Sequence, residues 1–190
     1  MARTSGPPNP FVRSITLVLG AARRARQRAA LIGGFALPFH GVQRATGDVD
    51  FLVDARAADA VHEALLDAGA RCLHRSDDAA NYAADLPDLA PVDVLYARRH
   101  RAVEMLRRAR PRTLRGARIR VPVVDAEALI GLKLQALVNA PIRSARDLAD
   151  IEALCAANAG SMNVALLRDY YRLFGREDEL DRLLTQFSRR

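Results

Sequence analysis

The 190-residue chain contains little of several residue types, and each scarcity narrows the possible class of protein. It has no tryptophan and only 5% aromatic residues, so its core must be built mainly from alanine, leucine, valine and isoleucine. Its two cysteines, Cys72 and Cys155, lie far apart and form no CxxC or Cys/His pattern, so neither a disulfide framework nor a zinc site is expected. Both cysteines lie in apolar-rich stretches, as buried thiols do, and we expect a cytoplasmic protein. No apolar run reaches the ~18 residues of a membrane span, so no membrane partner is expected.

Lysine is also nearly absent, and Lys133 is the single lysine of the chain. The formal net charge of +7 therefore comes almost entirely from arginine. Such a charge is typical of proteins that bind nucleic acid. A chain rich in arginine and alanine is equally what a GC-rich genome produces without any such partner. The clusters Arg23-Arg24-Ala25-Arg26 and 98–120 keep RNA binding open. A small basic DNA-binding protein is a further alternative, although no helix-turn-helix pattern supports it.

The order of periodic segments predicts an α/β (α+β) fold, with a mixed β-sheet flanked by helices and a helical C-terminal third. Asp54 and Asp125 precede helical patterns and are expected to cap them. We expect a flexible tail over 1–10, a core over 11–125 and a helical part over 126–190 packed on the core. The predicted strands are 30–32, 49–53, 71–74, 81–86, 92–96 and 119–124, and the predicted helices are 11–28, 35–40, 56–68, 126–139, 144–157, 164–174 and 177–187.

Two carboxylates stand at the start of the predicted strand 49–53. Asp48 and Asp50 are separated by one residue, so their side chains point to the same face of the strand, while Val49, Phe51 and Val53 point to the other. Adjacent like charges need compensation, and Mg²⁺ commonly binds one or two carboxylates together with substrate phosphates. The alternative is a solvated pair on an edge strand or in a turn.

A third carboxylate, Asp93, lies inside the otherwise apolar strand Pro91-Val92-Asp93-Val94-Leu95-Tyr96. An aspartate in such a run needs a partner or a metal. If this strand neighbours the first, Asp93 completes a three-carboxylate site, where it holds metal or deprotonates an attacking hydroxyl. The alternative is a salt bridge to one of the many arginines.

A glycine pair precedes these aspartates, with thirteen residues between Gly34 and Asp48. Backbone without a Cβ approaches a triphosphate closely, and a helix N-terminus offers free N–H groups, so Gly33 and Gly34 are candidate nucleotide-binding residues. Arg44 and Thr46, just before the strand, are candidates for contacts to phosphate or to the oxygens behind the metal ligands. For Arg44, an ordinary surface arginine is the alternative.

The segment LIGGFALPFHGVQRATGDVDFLVD resembles the signature of the DNA polymerase β-like nucleotidyltransferase superfamily, with a glycine pair, two spaced aspartates and a third aspartate on a later strand. More narrowly, it is similar to the AbiEii-type nucleotidyltransferases of abortive-infection and toxin–antitoxin systems. The downstream segment VVDAEALIGLKLQALVNAPIRSARDLADIEAL resembles that family's block with a lysine on one helix and aspartates on the next. Lys133, Asp147 and Asp150 occupy those positions, with Arg146 as a conservative departure.

Lys133 shares a helical stripe with Ile130 and Leu137, so it must reach either a cleft or an acid. It is therefore a candidate phosphate-binding residue. Asp147 and Asp150 are candidate supporting residues that pair with Lys133 or Arg143. An ordinary surface lysine is the alternative.

The resemblance implies a magnesium- or manganese-dependent enzyme that transfers NMP from an NTP such as ATP to a hydroxyl of RNA, tRNA or protein. It also implies a cognate toxin or antitoxin partner. A non-catalytic nucleotide-binding or interaction module that keeps the fold is the alternative function.

Overall fold

The computed structural model describes residues 9–114, 116–117, 119–139 and 144–187. Residues 1–8 of the predicted tail and Arg143, one predicted partner of the acidic residues in the C-terminal helices, lie outside the described residues. The chain forms two compact units, and the first comprises residues 1–36 and 45–124. The second comprises residues 37–44 and 125–190. Leu37–Arg44 thus belong to the second unit, whereas the sequence pattern places them in the core over 11–125.

The first unit is built on a seven-stranded mixed sheet with the order β3-β4-β5-β2-β1-β7-β6. Strand β2 pairs parallel with β5 and antiparallel with β1, and β1 pairs parallel with β7. The remaining pairs, β3 with β4, β4 with β5 and β6 with β7, are antiparallel. The strands are β1 (Ala29–Leu31), β2 (Val49–Asp54), β3 (Ala70–Arg75), β4 (Ala79–Ala84), β5 (Val92–Ala97), β6 (Arg110–Thr113) and β7 (Arg120–Val123).

Strand β2 occupies the centre of this sheet because its side chains are apolar on both faces from Phe51 to Val53. Val49, Phe51 and Val53 are fully buried on one face, as predicted, and Leu52 is buried on the other. Near its start Asp50 remains half-buried, so a polar end adjoins an apolar strand. This contrast fixes the register, since a slip of one residue would move the Asp50 carboxylate into a position that an apolar side chain fills in the core.

Helix α1 (Pro10–Arg24) begins with Asn9, whose side chain accepts hydrogen bonds from the amides of Phe11 and Val12. The predicted helix continued to residue 28, but the structure ends it at Arg24. The amide of Gln27 donates to Ala22 and that of Arg26 to Arg23, while Arg26 adopts a left-handed φ of 57°. This is a Schellman C-cap with arginine at the position usually held by glycine.

Two elements of the first unit were not predicted, α4 (His100–Arg108) and the edge strand β6. Both are dense in arginine, and β6 contains Pro111 and is exposed throughout. An edge strand of this kind disfavours pairing with another chain. The other helices here are α2 (Gly33–Ala36) and α3 (Ala58–Asp67), the latter preceded by a 3₁₀ turn (Ala55–Ala57). Asp54 caps that turn, as predicted, and its hydrogen bonds with Arg56 hold the pKa of the Asp54 carboxyl below its usual range.

The second unit is helical, with a 3₁₀ turn (Leu37–His40), α5 (Ala126–Asn139), α6 (Ser144–Asn158), α7 (Val164–Arg172) and α8 (Glu177–Phe187). Asp125 caps α5 by accepting from the amide of Ala128, as predicted. Gly131 permits close packing of α7 on α5, because a Cβ at this position would lie 3.0 Å from the ring of Tyr170. The protein therefore has the predicted α/β class, with a mixed sheet and a helical C-terminal region. Among the described helices, none is long and apolar enough to cross a membrane.

Candidate active site

Three carboxylates converge at one end of the parallel strand pair β2–β5. Asp50 and Asp93 are directly paired in the register of these strands, and Asp48 precedes Asp50 by two residues on the same face. One oxygen from each of the three side chains lies within 4.8 Å of the other two. The three residues, which we call the acidic triad, are all half-buried. The alternative of a solvated edge pair does not hold for Asp50, because β2 is a central strand.

The glycine pair lies directly against this triad. Gly33 has a left-handed φ of 59°, and a Cβ added to it would stand 2.0 Å from Oδ2 of Asp50 and 2.3 Å from its Cγ. The amide of Gly34 donates to the same Oδ2 at 3.3 Å. The absence of a side chain at residue 33 thus leaves room for the Asp50 carboxylate, a steric requirement that was not predicted; the approach of a triphosphate to this turn remains a prediction.

Each carboxylate of the triad receives a neutral hydrogen-bond donor. Oγ1 of Thr46 lies 2.5 Å from Oδ1 of Asp48, and Nδ2 of Asn81 donates to Oδ1 of Asp93 at 2.7 Å. Within the described residues, neither Asp48 nor Asp93 has an ion-pair partner, so no described arginine forms the alternative salt bridge with Asp93. Thr46 lies behind a triad carboxylate, which is one of the two positions predicted for it.

Asn81 was not recognised from the sequence. It lies on β4, directly opposite Asp93 in the antiparallel β4–β5 ladder. Its only sequence signal is that it is a polar residue in the run Ala79-Ala80-Asn81-Tyr82. The predicted strand over 81–86 begins two residues after the observed strand Ala79–Ala84. The pairing of β4 with β5 gives Asn81 its place, and pairing between strands cannot be read from one sequence.

The electrostatics of the triad favour a cation. At an effective dielectric constant of about 20, two unit charges separated by about 5 Å repel each other by about 3 kcal/mol, and the triad contains three such pairs. Neutral donors orient the carboxylates but do not cancel this repulsion. An all-oxygen set of three carboxylates matches the preference of hard divalent cations such as Mg²⁺. The donor set therefore fits a divalent metal, with Asp48, Asp50 and Asp93 as its ligands.

A second charged cluster lies within the second unit. Lys133 is 8% exposed, and its Nζ lies 3.0 Å from Oδ1 of Asp147 and 2.6 Å from Oδ2 of Asp150. Arg44 also contacts Asp150, with Nη1 and Oδ2 separated by 2.5 Å. Lys133 thus reaches acids on α6, and Arg44 is not an ordinary surface arginine. The predicted contacts of Lys133 and Arg44 with phosphate remain predictions.

A mixed sheet that places three carboxylates on neighbouring parallel strands, beside a glycine turn, defines a nucleotidyltransferase-like protein. The structure is similar to the antibiotic-resistance factor ANT(2'')-Ia in solution, with a TM-score of 0.61, 17% identity, and coverage of 90% of this chain and 95% of that chain. A crystal structure of ANT(2'')-Ia in complex with adenylyl-2''-tobramycin also has a TM-score of 0.61, with 18% identity and coverage of 86% and 97%. An antigenic nucleotidyltransferase-like protein from Paracoccidioides brasiliensis has a TM-score of 0.55, with 16% identity and coverage of 95% of both chains.

At these identities the structural likeness establishes the fold alone. The family model for the nucleotidyl transferase AbiEii toxin of type IV toxin–antitoxin systems matches residues 18–189. The chain belongs to this family and is a nucleotidyltransferase. Among proteins with curated functions, none matches the sequence.

Proposed function

We propose that the protein transfers NMP from an NTP to the hydroxyl of a macromolecular acceptor, with the acidic triad as its catalytic centre. The single observation that carries the proposal is the convergence of Asp48, Asp50 and Asp93 within 4.8 Å on the paired strands β2 and β5. A non-catalytic module would have no need to maintain this repulsive arrangement. The complete triad therefore favours an enzyme over the alternative of a binding module.

In this reaction the acceptor oxygen attacks the α-phosphorus, the bond between that phosphorus and the oxygen bridging to the β-phosphate breaks, and pyrophosphate leaves. A divalent cation, Mg²⁺ or Mn²⁺, held by the triad would neutralise charge on the triphosphate. Thr46 and Asn81 orient Asp48 and Asp93, so the carboxylates are positioned before substrate binds. Asp93 accepts the hydroxyl proton, since Asn81 engages only its Oδ1.

The turn Gly33-Gly34 contributes a surface without side chains next to Asp50, and the triphosphate binds along it in our proposal. Lys133 is assigned a phosphate contact on its sequence position and residue type alone. In the structure Lys133 contacts both Asp147 and Asp150, so these two aspartates support its position.

The proposal also concerns which molecule accepts the NMP group. The family name describes a toxin of a type IV toxin–antitoxin system. We propose a cytoplasmic RNA, tRNA or protein acceptor and a cognate antitoxin partner. A small-molecule acceptor is the second candidate, because the structurally similar ANT(2'')-Ia was crystallised with adenylyl-2''-tobramycin.

One labelling experiment tests the activity and the acceptor class together. The protein is incubated with each α-³²P-labelled NTP and Mg²⁺, in separate reactions with total tRNA, a protein extract and tobramycin. Label should enter tRNA or protein, and the Asp48→Asn variant should transfer none while melting, without added metal, at a temperature no lower than that of the unmodified protein, since it loses a repulsive charge. Equal transfer by that variant would remove the triad from the mechanism, and labelled tobramycin alone would overturn the macromolecular acceptor.

A further inference from the structure

A groove of about 720 Å³ lies in the first unit, at the opposite end of strands β1 and β2 from the acidic triad. Residues 26–29, which line the groove, lead into β1, and Ala29 pairs with Val53 near the C-terminal end of β2. The triad lies at the other end of β2, where that strand begins. The groove is therefore separate from the site of chemistry.

The floor of this groove is apolar. Leu19 contributes from α1, where the lining positions 16, 19, 20 and 23 follow the spacing of one helical face. Pro122 on β7, Ile119 directly before that strand and Leu106 on α4 complete the apolar floor. None of the lining residues that the structure describes is acidic or aromatic.

The rim of the groove is strongly basic, because Arg23, Arg26, Arg28 and Arg120 all line it. Neighbouring positions add Arg24, Arg110 and Arg112. Within the described part of the chain, none of these seven arginines has an ion-pair partner, whereas elsewhere arginines such as Arg44 and Arg71 pair with aspartates. The sequence contributes to the contrast, since residues 1–47 and 105–124 contain no Asp or Glu. An arginine in these segments pairs only with a distant acid, as Arg13 does with Asp88 and Arg44 with Asp150. The two acid-free segments meet at this groove.

Arg26 supplies an independent observation. It holds the left-handed C-cap position of α1 with a φ of 57°, a conformation in which an L side chain costs about 1 kcal/mol relative to glycine. A glycine would end the helix more favourably but would remove one cation from the rim. A strained backbone retained in this way is a pointer to function.

We propose that this arginine groove binds an acidic, amphipathic segment of a partner protein. Apolar side chains of such a segment would cover the floor formed by Leu19, Ile119 and Pro122, and its carboxylates would meet the guanidinium groups, which match carboxylates in bidentate geometry. An RNA strand would meet the same arginines, but single-stranded bases are usually held by aromatic stacking, and the described lining has no aromatic side chain. The apolar, non-aromatic floor therefore favours a protein segment over an RNA strand as the ligand.

The binding test uses the full chain and a fluorescent peptide of about 18 residues, a length of about 27 Å as a helix, with leucines on one face and glutamates elsewhere. A control peptide has the same composition in an order that has no apolar face. We expect the amphipathic peptide to bind at least about tenfold more tightly by fluorescence anisotropy, and total tRNA not to displace it. Equal binding of the two peptides, absence of binding, or displacement by tRNA at lower concentration would each overturn the proposal.

A matched pair of double variants locates the binding. Arg28→Glu with Arg120→Glu changes the groove, whereas Arg99→Glu with Arg101→Glu makes the same charge change outside it, at exposed arginines with no ion-pair partner among the described residues. The groove double should weaken peptide binding at least about tenfold, and the control double by less than about twofold. Equal weakening by both would show non-specific attraction and contradict the proposal.

Arg26→Gly adds a variant that cannot fail simply by unfolding. It should raise the melting temperature, because the left-handed C-cap is relieved, and at the same time weaken peptide binding. Unchanged peptide binding by this stabilised variant would remove Arg26 from the groove's function, and a lowered melting temperature would refute the strain argument. None of these measurements depends on nucleotide transfer.

Discussion

The substitution Gly33→Ala is the sharpest test of how the acidic triad is held. The added Cβ would lie 2.0 Å from Oδ2 of Asp50, 2.3 Å from its Cγ and 2.7 Å from its Cβ. Real contacts of this kind are never so short, and the atoms it meets include the root of the side chain, so a simple rotation of Asp50 does not remove the clash. Either the carboxylate or the turn must move.

The magnitude has two parts. Alanine in the left-handed region costs about 1–2 kcal/mol. Displacing the carboxylate from the Gly34 amide loses a charge-assisted hydrogen bond, worth about 1.5–3 kcal/mol. We expect a loss of about 3 kcal/mol in the free energy of unfolding and a fall in kcat/KM of about 100-fold or more, since misplacement of a catalytic group by about 1 Å has such an effect.

Gly47→Ala is the matched control, because residue 47 directly precedes Asp48 and a Cβ there meets nothing within 4 Å. It should change the free energy of unfolding by less than about 0.5 kcal/mol and leave transfer close to that of the unmodified protein. Urea unfolding and single-turnover NMP transfer on both variants are the assays. If Gly33→Ala behaves like Gly47→Ala in both, the close approach of Gly33 to Asp50 is refuted.

The other predictions concern single side chains. Asn81→Ala should lower kcat about tenfold with little change in the KM for NTP, because it frees Asp93 without removing a ligand; a change in KM alone would contradict a positioning role. Lys133→Ala should cost about 2–3 kcal/mol in urea unfolding, because half-buried Asp147 loses its cation and buried Asp150 keeps only Arg44, and an unchanged midpoint would refute the pairing. Burial raises the pKa of the Cys155 thiol to about 11, so at pH 8 iodoacetamide should modify half-buried Cys72 first, as mass spectrometry can check.

Much of the fold could be predicted from sequence periodicity. The strand 49–53 combines β-branched and aromatic residues between clear boundaries, and the structure has it as Val49–Asp54. The predicted C-terminal helices also appear, within two residues at their ends. Arginine-rich α4 was missed because its few apolar residues, Val103, Met105 and Leu106, occupy a short segment dominated by charge. The exposed β6 was missed because it has no apolar residue besides Pro111. The end of α1 was misplaced because a left-handed arginine carries no signal that distinguishes it from a helical one.

The candidate site also has residues that the sequence predicts and residues that it does not. Asp48 and Asp50 could be joined from sequence because the two-residue period of a strand puts them on one face. Asp93 could be suspected as a charge in an apolar run, but its pairing with Asp50 depends on the order of strands in the sheet. Asn81 and the meeting of the two acid-free arginine segments depend on pairings between distant residues, which one sequence does not encode locally.

The central claim is that the acidic triad carries transfer of the α-phosphoryl group with its nucleoside. The most direct measurement compares an NTP labelled at the α-phosphate with the same NTP labelled at the γ-phosphate, using Mg²⁺ and the acceptor fraction that takes up label in the experiment proposed above. We predict that α-label becomes attached to the acceptor, that γ-label is released as pyrophosphate, and that EDTA or Asp48→Asn abolishes both. Attachment of γ-label, or attachment of α-label that survives both EDTA and the loss of Asp48, would contradict the account.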